Sequence, residues 1–135
     1  MGRLVLILLD THVVVWLAGD QLRISATAKT AILKAREEQS GLAVSDMTLL
    51  EIARLSSEGR LNFEPSLEAF LSDVERRFAV LPMTGRICVQ AFSLPSNYPK
   101  DSADRVIGAT ALVEGLTLVT ADAPIRKSRA VPTIW

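Results

Sequence analysis

Leu4-Val5-Leu6-Ile7-Leu8-Leu9-Asp10 is the stretch that decides the fold. Six consecutive leucine or β-branched residues without polar alternation, ended by an acid, form the pattern of a strand buried on both faces, as inside a parallel sheet. A secretory leader needs a longer apolar stretch and a small-residue cleavage site, and a membrane-spanning helix needs about 20 apolar residues. Asp10 and His12 interrupt the run too early for either. The chain therefore reads as soluble and cytoplasmic, with no membrane partner.

Downstream of Asp10 the pattern changes to helical and back several times. Residues 11–18 predict a short helix broken at Gly19-Asp20, and 26–39 a second, with Ala28, Ala31, Ile32 and Ala35 on one face after the cap Ser25. Residues 41–44 read as a strand, and Ser45 caps a helix running to about Ser57. Pro65-Ser66 opens a helix to about Arg77, with Leu67, Phe70, Leu71 and Val74 at i, i+3, i+4 and i+7. A short strand at 80–82, a helix at 84–92, a Pro- and Asn-rich loop at 95–99 and a helix from Asp101 to Glu114 follow. Gly115 closes that helix, 116–119 is a strand, and 131–134 a last one. This alternation predicts a single α/β domain over residues 1–135 with a central, mostly parallel sheet. Gly108, inside the last long helix, predicts a close approach of that helix to the sheet.

Composition narrows the class. Apolar residues are 49% and charged residues 22% of the 135, which suits one hydrophobic core and excludes disordered and low-complexity chains. The single cysteine, Cys88, excludes a disulfide framework and is expected in the core. The 15 basic and 15 acidic residues cancel, which excludes a strongly basic coat protein.

Ligands of parallel sheets bind beyond the carboxyl ends of the strands, so the residues just after each strand come first. Asp10 ends the first strand and Asp122 follows the strand 116–119, so both project from one edge. Glu51 stands among apolar residues in the second turn of its helix, where a surface pair with Arg54 is the structural alternative. Asp101 and Asp104 occupy the first turn of another helix; Asp101 is assigned to the cap and Asp104 to the site. Four acids from four βα segments can thus converge, and clustered carboxylates need a cation among them. An all-oxygen donor set suits Mg2+ or Mn2+, whereas one His and one Cys disfavour zinc. Sites of this kind serve phosphoryl-ester cleavage. Phosphate-binding P-loops, dinucleotide-binding glycine motifs and the Gly-x-Ser-x-Gly elbow are all missing.

The ordered segments 8–17 (LLDTHVVVWL), 45–53 (SDMTLLEIA), 59–61 (GRL), 101–111 (DSADRVIGATA), 117–122 (TLVTAD) and 133–135 (TIW) resemble the PIN-domain ribonucleases, in particular the VapC-type toxins of type II toxin–antitoxin pairs. The resemblance spans nearly the whole chain. It implies a three-layer α/β/α fold, a Mg2+- or Mn2+-dependent endoribonuclease, an RNA substrate, a homodimer and a small VapB-like antitoxin partner. It assigns the family's four acids to Asp10, Glu51, Asp104 and Asp122, which would hold the metal, Glu51 directly or through water. Thr11 and Thr120 would orient carboxylates or waters, and Arg105 would reach phosphate. A metal-activated water would then cleave RNA to leave 5′-phosphate and 3′-hydroxyl ends. The chain departs from the pattern at Thr48, where relatives often have Ser, and at Pro99-Lys100-Asp101-Ser102, where they often have His-x-Asp-Pro.

Two other classes compete. A phosphatase or phosphoaspartyl protein would use Asp10 as nucleophile, but position 12 carries His12 instead of a second acid. An inactive interaction scaffold would keep the fold without needing all four acids. The charge balance fits the nuclease: with those four acids set apart, the remaining surface has an excess of four bases. Arg105, Arg126, Lys127 and Arg129 fall on or just after the segments carrying Asp104 and Asp122, where an RNA backbone would lie. Trp16 and Trp135 read as core or interface residues, with no indication of base stacking.

Overall fold

In a computed structural model of the chain, described for residues 6–37 and 41–135, five short strands and seven helices alternate. They run β1 (Ile7–Leu9), α1 (Thr11–Ala18), α2 (Ala26–Glu37), β2 (Leu42–Ser45), α3 (Asp46–Ser57), α4 (Leu67–Arg77), β3 (Ala79–Leu81), α5 (Gly85–Ala91), α6 (Ser102–Glu114), β4 (Thr117–Val119), α7 (Ala123–Ser128) and β5 (Thr133–Ile134). The expected strand residues Leu4 and Val5, and the expected helix end at 38–39, lie outside the described residues.

All four strand pairings are parallel, in the order β3-β2-β1-β4-β5. The chain first builds β2 and β3 on one side of β1 and then crosses to place β4 and β5 on the other. Between β1 and β4 the order reverses, and that is where an open α/β sheet leaves a crevice at its carboxyl edge.

The unalternating apolar strands are explained by the two cores. Ile7, Leu9, Leu42, Val44 and Val119 face one layer with Val13, Ile32, Ile52 and Val74. Leu8, Ala43 and Leu118 face the other with Ile107, Ala111 and Ile125. Successive strand residues point to opposite faces, so a strand covered by helices on both sides is apolar at every position. The result is the three-layer α/β/α architecture. Leu8 is completely buried, so truncating it to alanine would cost about 2–5 kcal/mol.

Helix boundaries follow local chemistry. Ser45, Ser66 and Thr84 each accept a backbone N–H from the first turn of α3, α4 and α5. Gly115 ends α6 at a φ of 68°, where a side chain would be strained, and Leu116 N–H reaches back to the Ala111 carbonyl at 2.8 Å.

Two expectations are corrected. Cys88 is exposed, because α5 turns Ile87 and Ala91 inward and Cys88, about 100° round the helix from Ile87, falls off that buried face. The close approach at Gly108 is to Tyr98 rather than to the sheet: a Cβ there would overlap Tyr98 Oη and lie 2.8 Å from Cζ. Segment 123–128, to which the sequence reading assigns no element, is the short helix α7, with Pro124 in its first turn and Ile125 as its buried anchor. Among the described residues, no helix is long and apolar enough to cross a membrane.

Candidate active site

At the carboxyl edge of the sheet, beside the reversal between β1 and β4, lies a cleft of about 400 Å³. It is lined by Asp10, Glu51, Asp104 and Asp122 together with Asp101, His12, Trp16 and Ala121. The structure thus brings together all four acids singled out from the sequence.

Three of the four acids are held by the start of a helix. Asp10 caps α1, its Oδ1 accepting the Thr11 N–H at 2.9 Å, while Oδ2 accepts the Thr120 hydroxyl at 2.7 Å. Asp122 caps α7 through the Ile125 N–H at 2.9 Å, and its own N–H donates to Thr120 Oγ1 at 3.1 Å. Thr120 is therefore the joint between the two strand-end acids. Asp101 caps α6 by accepting the Asp104 N–H at 3.1 Å, which sets Asp104 in the first turn. Capping and cleft lining, alternatives on sequence grounds, coexist in the same side chains.

Glu51 projects from the second turn of α3. Its side chain is only 12% exposed, and Arg54 Nη2 lies 3.4 Å from Oε2 on the solvent side. That pair is the one expected at i,i+3, yet Glu51 also reaches the cleft. Asp10, Asp104 and Asp122 have no ion-pair partner among the described residues.

The consequence is electrostatic. Asp104 is pushed up from 3.8 to about 7, first by burial and then by the charges of Asp10, Asp101, Asp122 and Glu51. Asp10 is also raised, by burial, against the lowering effect of the hydrogen bonds from Thr120 and Thr11. Such a cleft lacks positive charge. No three His, Cys, Asp or Glu side chains among the described residues form a preformed metal cage. The acids instead ring the cleft, an all-oxygen donor set that fits a hard dication keeping several of its waters and taking one or two carboxylates.

Other predicted residues lie elsewhere. The Thr11 hydroxyl meets Thr48 Oγ1 at 3.1 Å, both side chains being fully buried, so Thr11 serves Asp10 through its backbone N–H rather than its hydroxyl. Arg105 turns away from the cleft: Nη1 donates to the Ala91 carbonyl at 3.0 Å and Nη2 to the Tyr98 carbonyl at 3.4 Å. It ties α5 and the 95–99 loop to α6. Arg126, Lys127 and Arg129 are exposed on α7 and its end, outside the cleft lining. Two contributors were not foreseen. Tyr98, buried in the predicted loop, donates its hydroxyl to the Asp104 carbonyl at 2.8 Å and so steadies the first turn of α6. Trp16, one turn beyond His12, forms part of the cleft wall.

The family model of the PIN domain matches residues 7–129. The chain belongs to the PIN domain family. This PIN domain is 34% identical over 131 residues to Ribonuclease VapC22 of Mycobacterium tuberculosis, covering 96% of this chain and 98% of the relative. Its fold is shared with VapBC2 of Rickettsia felis, solved bound to a promoter DNA fragment, at a TM-score of 0.71 and 15% identity over 95% of this chain and 96% of that one. DNA-bound VapBC of Salmonella typhimurium matches at a TM-score of 0.69 and 17% identity over 96% of each chain. Within the PIN domain, the matched region contains all four cleft acids.

Proposed function

We propose that this chain is a divalent-metal-dependent endoribonuclease acting as the toxin of a toxin–antitoxin pair, with RNA as substrate. The observation that carries the reading is the ring of Asp10, Glu51, Asp104 and Asp122 around one cleft at the sheet's reversal point, three of them without an ion-pair partner among the described residues. The likeness to Ribonuclease VapC22 supports the RNA substrate, and the likeness to VapBC assemblies supports a VapB-like antitoxin. A toxin that cleaves cellular RNA would act in the cytoplasm.

Asp10, Asp104 and Asp122 would hold Mg2+ or Mn2+, with Glu51 bound directly or through water. When bound, the metal supplies charge for the scissile phosphate and acidifies the attacking water. The chain's own residues fix the geometry. Thr120 holds Asp10 and Asp122 in register, Asp101 and Tyr98 fix the turn that carries Asp104, and Arg54 anchors Glu51 from the solvent side. With Asp104 raised to about 7, an unfilled cleft carries a proton near neutrality that an incoming dication must displace.

The test is cleavage of total RNA by the wild type with Mg2+, with EDTA, and by Asp10→Asn and Asp104→Asn proteins. Cleavage that stops with EDTA and in both variants is expected; undiminished cleavage by both variants would remove this site from the reaction.

A further inference from the structure

Arg105 directly follows Asp104, and one step along an α-helix is a rotation of about 100°, so the carboxyl lines the cleft while the guanidinium turns away from it. Arg105 forms no ion pair among the described residues and gives its donors to two backbone carbonyls, Ala91 at 3.0 Å and Tyr98 at 3.4 Å. The Ala91 carbonyl belongs to the last turn of α5, where carbonyls lack a partner in their own helix and a cation is favoured. Tyr98 is gripped at both ends: its carbonyl accepts from Arg105, and its hydroxyl donates to the Asp104 carbonyl at 2.8 Å. Its ring lies against Gly108, one turn further along α6. Three positions of α6, 104, 105 and 108, thus close on one buried side chain supplied by the preceding loop.

Asp104 depends on such an anchor. Asp10, Glu51, Asp101 and Asp122 share its cleft, and no ion pair among the described residues draws its carboxyl inward. The place of that carboxyl is therefore set by the backbone turn beneath it. We infer that Arg105 and Tyr98 form one clamp that positions Asp104 for the dication, so that Arg105 sets the affinity of the cleft for metal and does not touch RNA, a role that rests on the metal-dependent ribonuclease reading above. Groups that orient a metal ligand govern affinity although they never meet the ion. A guanidinium suits the task, because its planar fork reaches two carbonyls on separate segments at once, whereas a lysine ammonium is a compact point charge.

Mn2+ titrations of the RNA-free protein, followed by loss of the free-ion signal in electron paramagnetic resonance, read the clamp without any cleavage. Arg105→Met keeps a long stem and removes the fork; it should weaken Mn2+ binding roughly 10- to 100-fold, and Tyr98→Phe, which removes one hydroxyl, should weaken it as well. Arg105→Lys should stay weak, because charge alone is not what the residue supplies. The losses should not add in the Arg105→Met, Tyr98→Phe double variant, since either change opens the same clamp. With Mn2+ saturating, the KM of Arg105→Met protein for RNA should match the wild type. Unchanged Mn2+ affinity in folded Arg105→Met protein, full rescue by lysine, or a raised KM at unchanged Mn2+ affinity, the mark of a phosphate contact, would overturn the inference. Should Arg105→Met fail to fold, Tyr98→Phe decides, and unchanged Mn2+ affinity there is equally fatal. A wild type that binds no Mn2+, or RNA cleavage that persists undiminished in Asp10→Asn protein, would overturn the metal-dependent ribonuclease reading instead, a separate outcome.

Discussion

Replacing Asp104 by asparagine should stabilise the metal-free protein, and the gain should depend on pH in a defined direction. The carboxyl is raised from 3.8 to about 7, so the folded chain holds a proton that the unfolded chain has already released across that interval. Stability therefore falls as pH rises from about 4 to about 7, and the full cost remains above that. At full strength the interval corresponds to about 4 kcal/mol. Asp104 is only half-buried, and solvent screening reduces this to roughly 1–2 kcal/mol. Loss of a favourable acid in the first turn of α6 subtracts about 0.3–1 kcal/mol, leaving a net gain near 1 kcal/mol. Thermal melts in EDTA at about pH 8 should show Asp104→Asn melting roughly 3–6 °C above the wild type, with the difference shrinking toward zero at about pH 4. Added Mg2+ should narrow the gap at about pH 8, because an ion bound to the folded wild type stabilises it by mass action. A variant no more stable than the wild type at about pH 8, or a gain that does not change with pH, would refute the claim that the cleft is short of positive charge.

Gly108→Ala should destabilise the protein by about 1–3 kcal/mol in urea denaturation: overpacking against Tyr98 outweighs the roughly 1 kcal/mol that alanine gains in a helix. The penalty should shrink in a Tyr98→Phe background, where the nearest overlapping atom is gone. Thr120→Val should cost about 1.5–3 kcal/mol, since the buried Asp10 carboxylate loses a charged hydrogen bond and the Asp122 N–H loses its acceptor. It should also lower RNA cleavage, read as kcat, with secondary structure by circular dichroism unchanged.

Much of the fold and the acid quartet were legible because their signals are local. The apolar run ending at Asp10 announces a doubly covered strand, and Ser45, Ser66 and Thr84 mark helix starts by their capping chemistry. Strand-end acids fall on one edge in any parallel sheet, so Asp10 and Asp122 needed only the topology. What stayed hidden depends on long-range packing. Tyr98 sits in a stretch whose proline and asparagine content speaks only of a loop, and its burial is set by Gly108, ten residues on and on another element. The direction of Arg105 is decided by the Ala91 and Tyr98 carbonyls, which no sequence window contains. Helix α7 is too short to show a period, and its one buried side chain is Ile125. The i,i+4 spacing of His12 and Trp16 was readable as a shared helix face, but the cleft on which that face opens was not.

The strand order has a consequence in time. Asp10 is made 110 residues before Thr120, whose hydroxyl fixes it, and β1 is flanked on one side by β4. Until the segment carrying β4 is made and inserted, the first acid lacks the β4 side of its sheet and its neighbour Asp122. Domains complete their folding only when such distant contacts can close. A nascent chain stalled or cut before Thr117 would leave the cleft half-built, with Asp10 present but without the Thr120 hydroxyl and the Asp122 carboxylate beside it.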